Sequence, residues 1–276
     1  MFMIKQYKLT IFTPLHNGAN TISRVYNSLK HSIYRNFEWI IINDGSTDDS
    51  YKVICSLVSK EEWDITLVNW PDNRGKHVAW NYAVSLAKGD IFICVDCDDA
   101  FVASALSIVN DKWNKHYDDA KIYGIDFLCV DHITNEVCGT RYPSDGIVSN
   151  YKTLYSVHKI RGDKWNTYRL AYLRQFKFPE IKANYYTECF LHYSLGEKYY
   201  VVGYNENLYI YYMEMNSITH TIVPNRNNLY MIAHYQMWHI PRVALWLIVY
   251  DPKELYRCIK ELISVFFKFL FMYRRI

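Results

Sequence analysis

The first hundred residues alternate between two periods. Four short runs are apolar almost throughout: "LTIFTP" (9–14), "FEWIIIND" (37–44), "ITLVNW" (65–70) and "IFICVD" (91–96). Between them, apolar residues recur every three or four positions, the spacing of an amphipathic helix. Ile22, Val25, Tyr26, Leu29 and Ile33 share one face of 19–33, and Val78, Ala79, Tyr82, Ala83, Leu86 and Ala87 share one face of 75–90. A third helix is expected over 46–60, with a Ser or Thr N-cap and acids in its first turn. Strands without polar alternation are covered on both faces, and the helices between them make right-handed crossovers. The expected fold is therefore α/β: a doubly wound, mostly parallel sheet flanked by helices.

Beyond residue 100 the pattern loosens. Residues 119–131 read as a strand pair or a long edge strand, 158–176 as a loop and then a helix, and 187–195 as a helix. Strands follow at about 199–202 and 208–212, and helices dominate from residue 227 onward. The expected organisation is one domain over 1–222, with halves 1–100 and 101–222, and a helical C-terminal extension over 223–276.

In such a sheet, ligands bind in the crevice at the carboxyl ends of the strands. Polar residues follow each strand there. The first strand ends in Thr13 and Pro14, the second in Asn43-Asp44-Gly45-Ser46, and the fourth in Asp96-Cys97-Asp98-Asp99. Asn69 ends the third, with Asp72-Asn73-Arg74-Gly75 after it. Each group alone has a plain structural reading as a turn or a helix cap. Together on one rim they point to a ligand. Three carboxylates in four positions repel one another unless a cation lies between them. Oxygen ligands of this kind suit Mg²⁺ or Mn²⁺, whose remaining positions phosphate oxygens fill. Arg74 or Lys76 is placed to offset phosphate charge.

Composition sets further bounds. A net charge of +3 leaves no nucleic-acid footprint. The 26 tyrosines raise the aromatic share to 17%, either as a compositional habit or as flat surfaces for sugars, bases or lipid headgroups. Seven cysteines, an odd number without zinc spacing, fit a reduced, cytoplasmic state. Cys94 and Cys97 straddle a strand end beside carboxylates. The opening 1–8 is short and polar, unlike a secretory signal, and "VALWLIVY" and "LISVFFKFLFMY" fall short of the roughly 20 apolar residues that span a bilayer. Neither a Walker-type loop nor a G-x-G-x-x-G follows the first strand.

"TPLHNGANTISRVYNSL", "EWIIINDGSTDDS", "NRGKHVAWNYAVSLAKGDIFICVDCDD" and "YYTECFLHYSL" resemble the family 2 glycosyltransferases of the GT-A fold, over about residues 8–220. The resemblance implies a metal-dependent, inverting transfer of a sugar from a nucleotide diphosphate, UDP above all, with Mn²⁺ or Mg²⁺ as cofactor. It implies that Thr13 and Pro14 shape the nucleotide pocket and that Asp44 binds the base. Asn73, Gly75 and Lys76 look like the loop that closes over the nucleotide. Asp96 and Asp98 match the D-x-D motif, Asp96 toward ribose and phosphate and Asp98 as metal ligand.

The family usually carries a Glu-Asp pair that deprotonates the acceptor hydroxyl. Here the chain reads Thr187-Glu188-Cys189. Either Glu188 is the base, or Cys189 stands where the base belongs and the chain is a degenerate binding subunit. A nucleotidyltransferase would need a basic loop after the first strand, which "TPLHNGAN" lacks. Asp163, Trp165 and Asn166 sit where the family places acceptor contacts, with core packing the alternative for Trp165. His220 resembles a further metal or phosphate contact. The acceptor implied is a glycan or lipid-linked saccharide in surface polysaccharide synthesis. The tail, basic and apolar, reads either as an interfacial helix on an anionic membrane, peripheral on its cytoplasmic face, or as a packed or homodimer contact.

Overall fold

The computed structural model describes residues 4–183, 186–213 and 226–273. The expected alternation forms: β1 (Leu9–Leu15), α1 (Ser23–His31), β2 (Phe37–Asp44), α2 (Ser50–Val58), β3 (Asp64–Trp70), α3 (Lys76–Leu86) and β4 (Ile91–Cys94). These four strands lie side by side in the order β3-β2-β1-β4, all parallel. The side-chain period of two explains why they carry so few polar residues. Leu9, Ile11, Trp39, Ile41, Ile91 and Ile93 enter one core, with Val25 and Leu29 of α1 and Ile54 of α2. Their neighbours Phe12, Ile40, Ile42 and Phe92 enter the other, under Ala79, Trp80 and Ala83 of α3.

After β4 come β5 (Ala100–Phe101), α4 (Ala105–His116), β6 (Ile122–Asp131), β7 (Ile147–Ser149), α5 (Tyr151–Ser156) and β8 (Lys164–Arg169). Then follow α6 (Leu170–Leu173), α7 (Cys189–Gly196), β9 (Tyr200–Tyr211) and two long helices, α8 (Arg226–Tyr250) and α9 (Pro252–Tyr273). The sheet continues from β4 through β8, β6 and β9 to β5, with β7 also on β9. β8 runs antiparallel to both of its neighbours, while β6 and β9 are parallel. This α/β sheet, flanked by helices and followed by a helical C-terminus, is the architecture expected.

Several local expectations are corrected. Residues 119–131 form neither a strand pair nor an edge. β6 is one central strand with nine of its ten residues buried. Residues 164–169, expected in a loop or helix, form β8, because tertiary pairing with β4 and β6 overrides a mixed local pattern. The two strands expected near 199–212 are one strand, β9, with register shifts opposite Asp126 and Leu128 that hide its continuity. α1 stops at His31, so Ile33 lies beyond the helix and is exposed. Tyr82 points outward and packs on Trp70, with ring centroids 5.7 Å apart. α2 begins at Ser50 with Asp49 at its N-cap and no side-chain cap bond, so neither the Ser or Thr cap nor the first-turn acids form; the Asp48 carboxylate just before it accepts the backbone N–H of Ser50 and Ala19.

The hairpin of α8 and α9 packs through Val243, Leu247 and Leu255 against Tyr193, Cys189 and Tyr151. Among the described residues no helix is long and apolar enough to cross a membrane.

Candidate active site

The carboxyl ends of β1, β2 and β4 open into a cleft of about 1010 Å³. Its far wall comes from the start of β8 and the turn into α7. Pro14, Asp44, Asn73, Lys76, Asp96, Asp98, Asp163, Trp165, Asn166 and Glu188 all line it. The topology thus gathers side chains that stand up to about 170 residues apart in the chain.

The loop before α3 is built by Asp44. Its two carboxylate oxygens accept the backbone N–H of Arg74 at 2.6 Å and of Gly75 at 2.8 Å. Gly75 has φ +96°, and a Cβ there would lie 2.3 Å from the Ala183 carbonyl oxygen. Only glycine fits that conformation and that approach. Gly45, at φ +63°, makes the matching turn after β2. Burial raises the Asp44 carboxyl, and the two N–H donors oppose that rise. Asp44 therefore reaches the cleft chiefly through the loop it holds.

Lys76, the first residue of α3, projects its ammonium between two acids. Its Nζ lies 2.8 Å from Asp96 Oδ1 and 3.0 Å from Glu188 Oε1. Those two carboxylates hold the ammonium firmly protonated against the burial that opposes its charge. One cation thus ties the end of β4 to the entrance of α7.

The aspartate cluster divides by role. Asp99 is 2% exposed and turned inward, accepting the Tyr212 backbone N–H at 2.9 Å. Burial, then Asp96 and Asp98, push its carboxyl up to about 8. Asp98 faces the cleft. Burial first, and the charge of Asp96 next, push it up to about 6. A carboxylate strained in this way is relieved by a cation. Among the described residues no three metal-ligating side chains converge. Asp96 and Asp98 offer oxygen donors, the type that suits Mg²⁺ or Mn²⁺.

Other groups here were missed in the sequence. Arg24 of α1 donates to the Asp98 carbonyl at 2.6 Å and stacks on Tyr212. The Tyr209 hydroxyl accepts the Asp96 N–H at 3.0 Å. His16 contacts the Asp44 carbonyl through Nδ1 at 2.8 Å, and Asn17, at φ +52°, accepts the Thr47 N–H. The only sequence signal for the first loop was its Asn-Gly pair, a turn signature.

Some expected site residues occupy other places. Thr13 is fully buried, and its hydroxyl accepts from Trp39 Nε1 at 3.0 Å, so it shapes the pocket only from beneath. Trp165 is corrected to a core residue. It is 3% exposed, stacked with Phe101 and Tyr209, and its Nε1 donates to the Cys94 carbonyl at 3.0 Å. No open ring face remains for a sugar. Asn166 donates to the buried Asp126 at 2.8 Å, which fixes its amide at the cleft wall. Asp163 is open to solvent, yet the surrounding walls and the charge of Glu188 raise its carboxyl. Cys189 lies 3.7 Å from the Tyr151 hydroxyl on α5. His220 lies outside the described residues.

Comparisons with known proteins bear on the family and on the fold. The profile described as "Glycosyl transferase family 2" matches residues 10–191. The teichoic acid poly(glycerol phosphate) polymerase of Staphylococcus epidermidis is 30% identical over 107 residues, 39% of this chain but 15% of that much longer protein. Glycosyltransferase GlyG of Streptococcus pneumoniae is 23% identical over 231 residues, 77% of this chain and 73% of the relative. Among solved structures, S. aureus TarS 1–349 in complex with UDP-GlcNAc superposes with a TM-score of 0.64 at 16% identity. That match covers 95% of this chain and 73% of the other. The low identity to TarS speaks for the fold alone. The profile, spanning well over half of the chain, carries the assignment: this protein belongs to glycosyl transferase family 2.

Proposed function

We propose that the protein is a metal-dependent, inverting glycosyltransferase that uses a nucleotide diphosphate sugar. The donor we assign is a UDP-hexose or UDP-N-acetylhexosamine, in line with the UDP-GlcNAc held by the TarS structure. The acceptor we assign is a glycan or lipid-linked saccharide in surface polysaccharide synthesis. One observation carries the reading: Asp96 and Glu188, from opposite walls of the cleft, meet on the single ammonium of Lys76. Placing a base on one wall and a leaving-group site on the other is what in-line displacement requires.

In this reading the loop of Asn73 and Gly75, held by Asp44, and the wall at Pro14 enclose the nucleotide. Asp98, with Asp96 beside it, would hold Mn²⁺ or Mg²⁺. When bound, the ion neutralises the diphosphate and acts as Lewis acid for its departure. Lys76 adds a fixed positive charge beside the same acids. Glu188 takes the proton of the acceptor hydroxyl, whose oxygen attacks the anomeric carbon. The bond from that carbon to the diphosphate oxygen breaks on the opposite face, and configuration inverts. Asp163 and Asn166 line the side from which the acceptor enters. The thiol of Cys189 contacts Tyr151, so the carboxylate of this motif that meets Lys76 is Glu188.

The test is sugar-nucleotide turnover with Mn²⁺ or Mg²⁺ over an acceptor panel, for wild type, Asp98→Asn and Glu188→Gln. Each substitution is expected to lower turnover by about 10²-fold or more, the usual effect of removing a positioned catalytic group. Turnover unchanged in either variant removes that residue from the mechanism. Tight UDP binding by wild type without transfer to any acceptor would instead favour a degenerate binding subunit.

A further inference from the structure

More than half of the large apolar side chains that are exposed among the described residues lie in the α8–α9 hairpin. On α9, Tyr256, Ile259, Ile263, Phe266 and Phe267 are each at least 41% exposed. They recur at three- and four-residue spacing, so they form one stripe along the helix. Cys258 and Val265 lie on another side of α9 and are buried. The stripe is therefore a second apolar face, separate from the one that packs on the domain. On α8, Leu245, Ile248 and Val249 are exposed within two turns of the bend, Leu245 at 85%.

The charges are sorted as well. Between residues 226 and 268 the acids are Asp251, Glu254 and Glu261. Each is engaged: Asp251 by Lys159 and Arg161, Glu254 by Arg257, and Glu261 by Gln236. The cations Arg242, Lys253, Arg257, Lys260 and Lys268 are all exposed. On a helical projection, Lys253, Arg257, Lys260 and Lys268 fall along one flank of the α9 stripe. Apolar and aromatic side chains edged by lysines, with each acid of the hairpin already partnered, match the boundary of an anionic bilayer. A face between two copies of the chain would bring these like charges together. The hairpin is tied to the cleft wall, because Arg161 Nη2, on the loop leading to β8, lies 2.9 Å from Asp251 Oδ2.

We propose that the α8–α9 hairpin docks this protein on an anionic membrane surface. The apolar stripe of α9 enters the headgroup boundary, and Lys253, Lys260 and Lys268 meet lipid phosphates. This inference stands on the hairpin alone and does not depend on the transfer chemistry.

The experiment is vesicle flotation of the full chain, with phosphatidylcholine vesicles and with vesicles that also contain phosphatidylglycerol. Wild type is expected to float with the anionic vesicles, to float poorly with the neutral ones, and to lose binding as salt rises. The double variant Ile263→Asp/Phe267→Asp should lose at least about tenfold in partition while keeping its melting temperature, since both residues are solvent-exposed. Lys260→Glu/Lys268→Glu should lose about thirtyfold on anionic vesicles and little on neutral ones. Absence of wild-type binding to either vesicle overturns the proposal. So does a wild-type dimer in sedimentation that the Ile263→Asp/Phe267→Asp variant converts to a monomer without any change in flotation.

Discussion

Lys76 Nζ stands 3.0 Å from Glu188 Oε1 and, on its other side, 2.8 Å from Asp96 Oδ1. Its side chain is 24% exposed, so solvent only partly screens the three charges. The cation holds together two acids that would otherwise repel across the cleft. Lys76→Met is expected to lower the melting temperature by a few degrees, in line with about 1 kcal/mol for a partly exposed pair. It is expected to lower sugar-nucleotide turnover by about 10²-fold, as for loss of a positioned charge at a reacting centre. Lys76→Arg should restore much of the stability and less of the turnover, because the planar fork cannot occupy the same point. Differential scanning fluorimetry and a turnover assay on the same preparations check both halves. A Lys76→Met variant with wild-type turnover would show that the bridge is only structural.

Asp44 holds the loop before α3 through two backbone N–H groups and is 3% exposed. Asp44→Ala leaves both donors without their acceptor, at about 1–3 kcal/mol each where burial persists. The expected result is a loss of about 2–4 kcal/mol in urea unfolding, with UDP affinity falling in parallel. UDP affinity retained together with lost stability would separate the loop from the nucleotide site.

Asp126 supplies a pH dependence. It is 3% exposed on β6 and accepts from Asn166 and Tyr142. Burial raises its carboxyl from 3.8 to about 6, against those two hydrogen bonds. The folded protein therefore holds this proton more tightly than the unfolded chain. The contribution to stability is full below about pH 4 and is lost as pH rises toward 6. Asp126→Asn keeps the amide contact and removes the titration. Its stability relative to wild type should rise between about pH 4 and 6 by about 1–3 kcal/mol and then level off. Urea unfolding at a series of pH values reads this directly, and a constant difference would contradict it.

Trp165 tests how the cleft floor is built. With Phe101 and Tyr209 stacked on the indole, Trp165→Ala is expected to cost about 3–5 kcal/mol, as for a large cavity in a core. Trp165→Phe should cost less and leave the acceptor KM near wild type. An acceptor KM that rises steeply in Trp165→Phe at unchanged stability would return the ring to the acceptor site.

Much of the half over residues 1–100 was legible because local and global signals agree there. Leu9, Ile11, Ile41 and Ile93 read as strand and pack as strand, and of the polar residues after the runs Asp44, Asn73, Asp96 and Asp98 line one cleft. The half beyond residue 100 was less legible because its strands depend on pairing. Residues 164–169 carry Lys164, Asn166 and Arg169 and become β8 through bonds to β4 and β6. The bridge of Lys76 to Glu188 spans 112 positions of sequence, and no local spacing encodes it. Thr13 and Trp165 show the converse. Each stands in a motif beside the site, and the pleat turns each into the core, Thr13 to Trp39 and Trp165 to Phe101.

Under the proposed function, Asp98, beside Asp96, would hold a divalent ion that in turn holds a nucleotide diphosphate. Isothermal titration of UDP into the full chain, with Mn²⁺ and then with chelator, for wild type and Asp98→Asn, tests it most directly. Wild type is expected to bind with Mn²⁺, and to lose at least about tenfold both on chelation and in Asp98→Asn, as expected when a charge-bearing ligand is removed. Equal UDP affinity in all four titrations would contradict it.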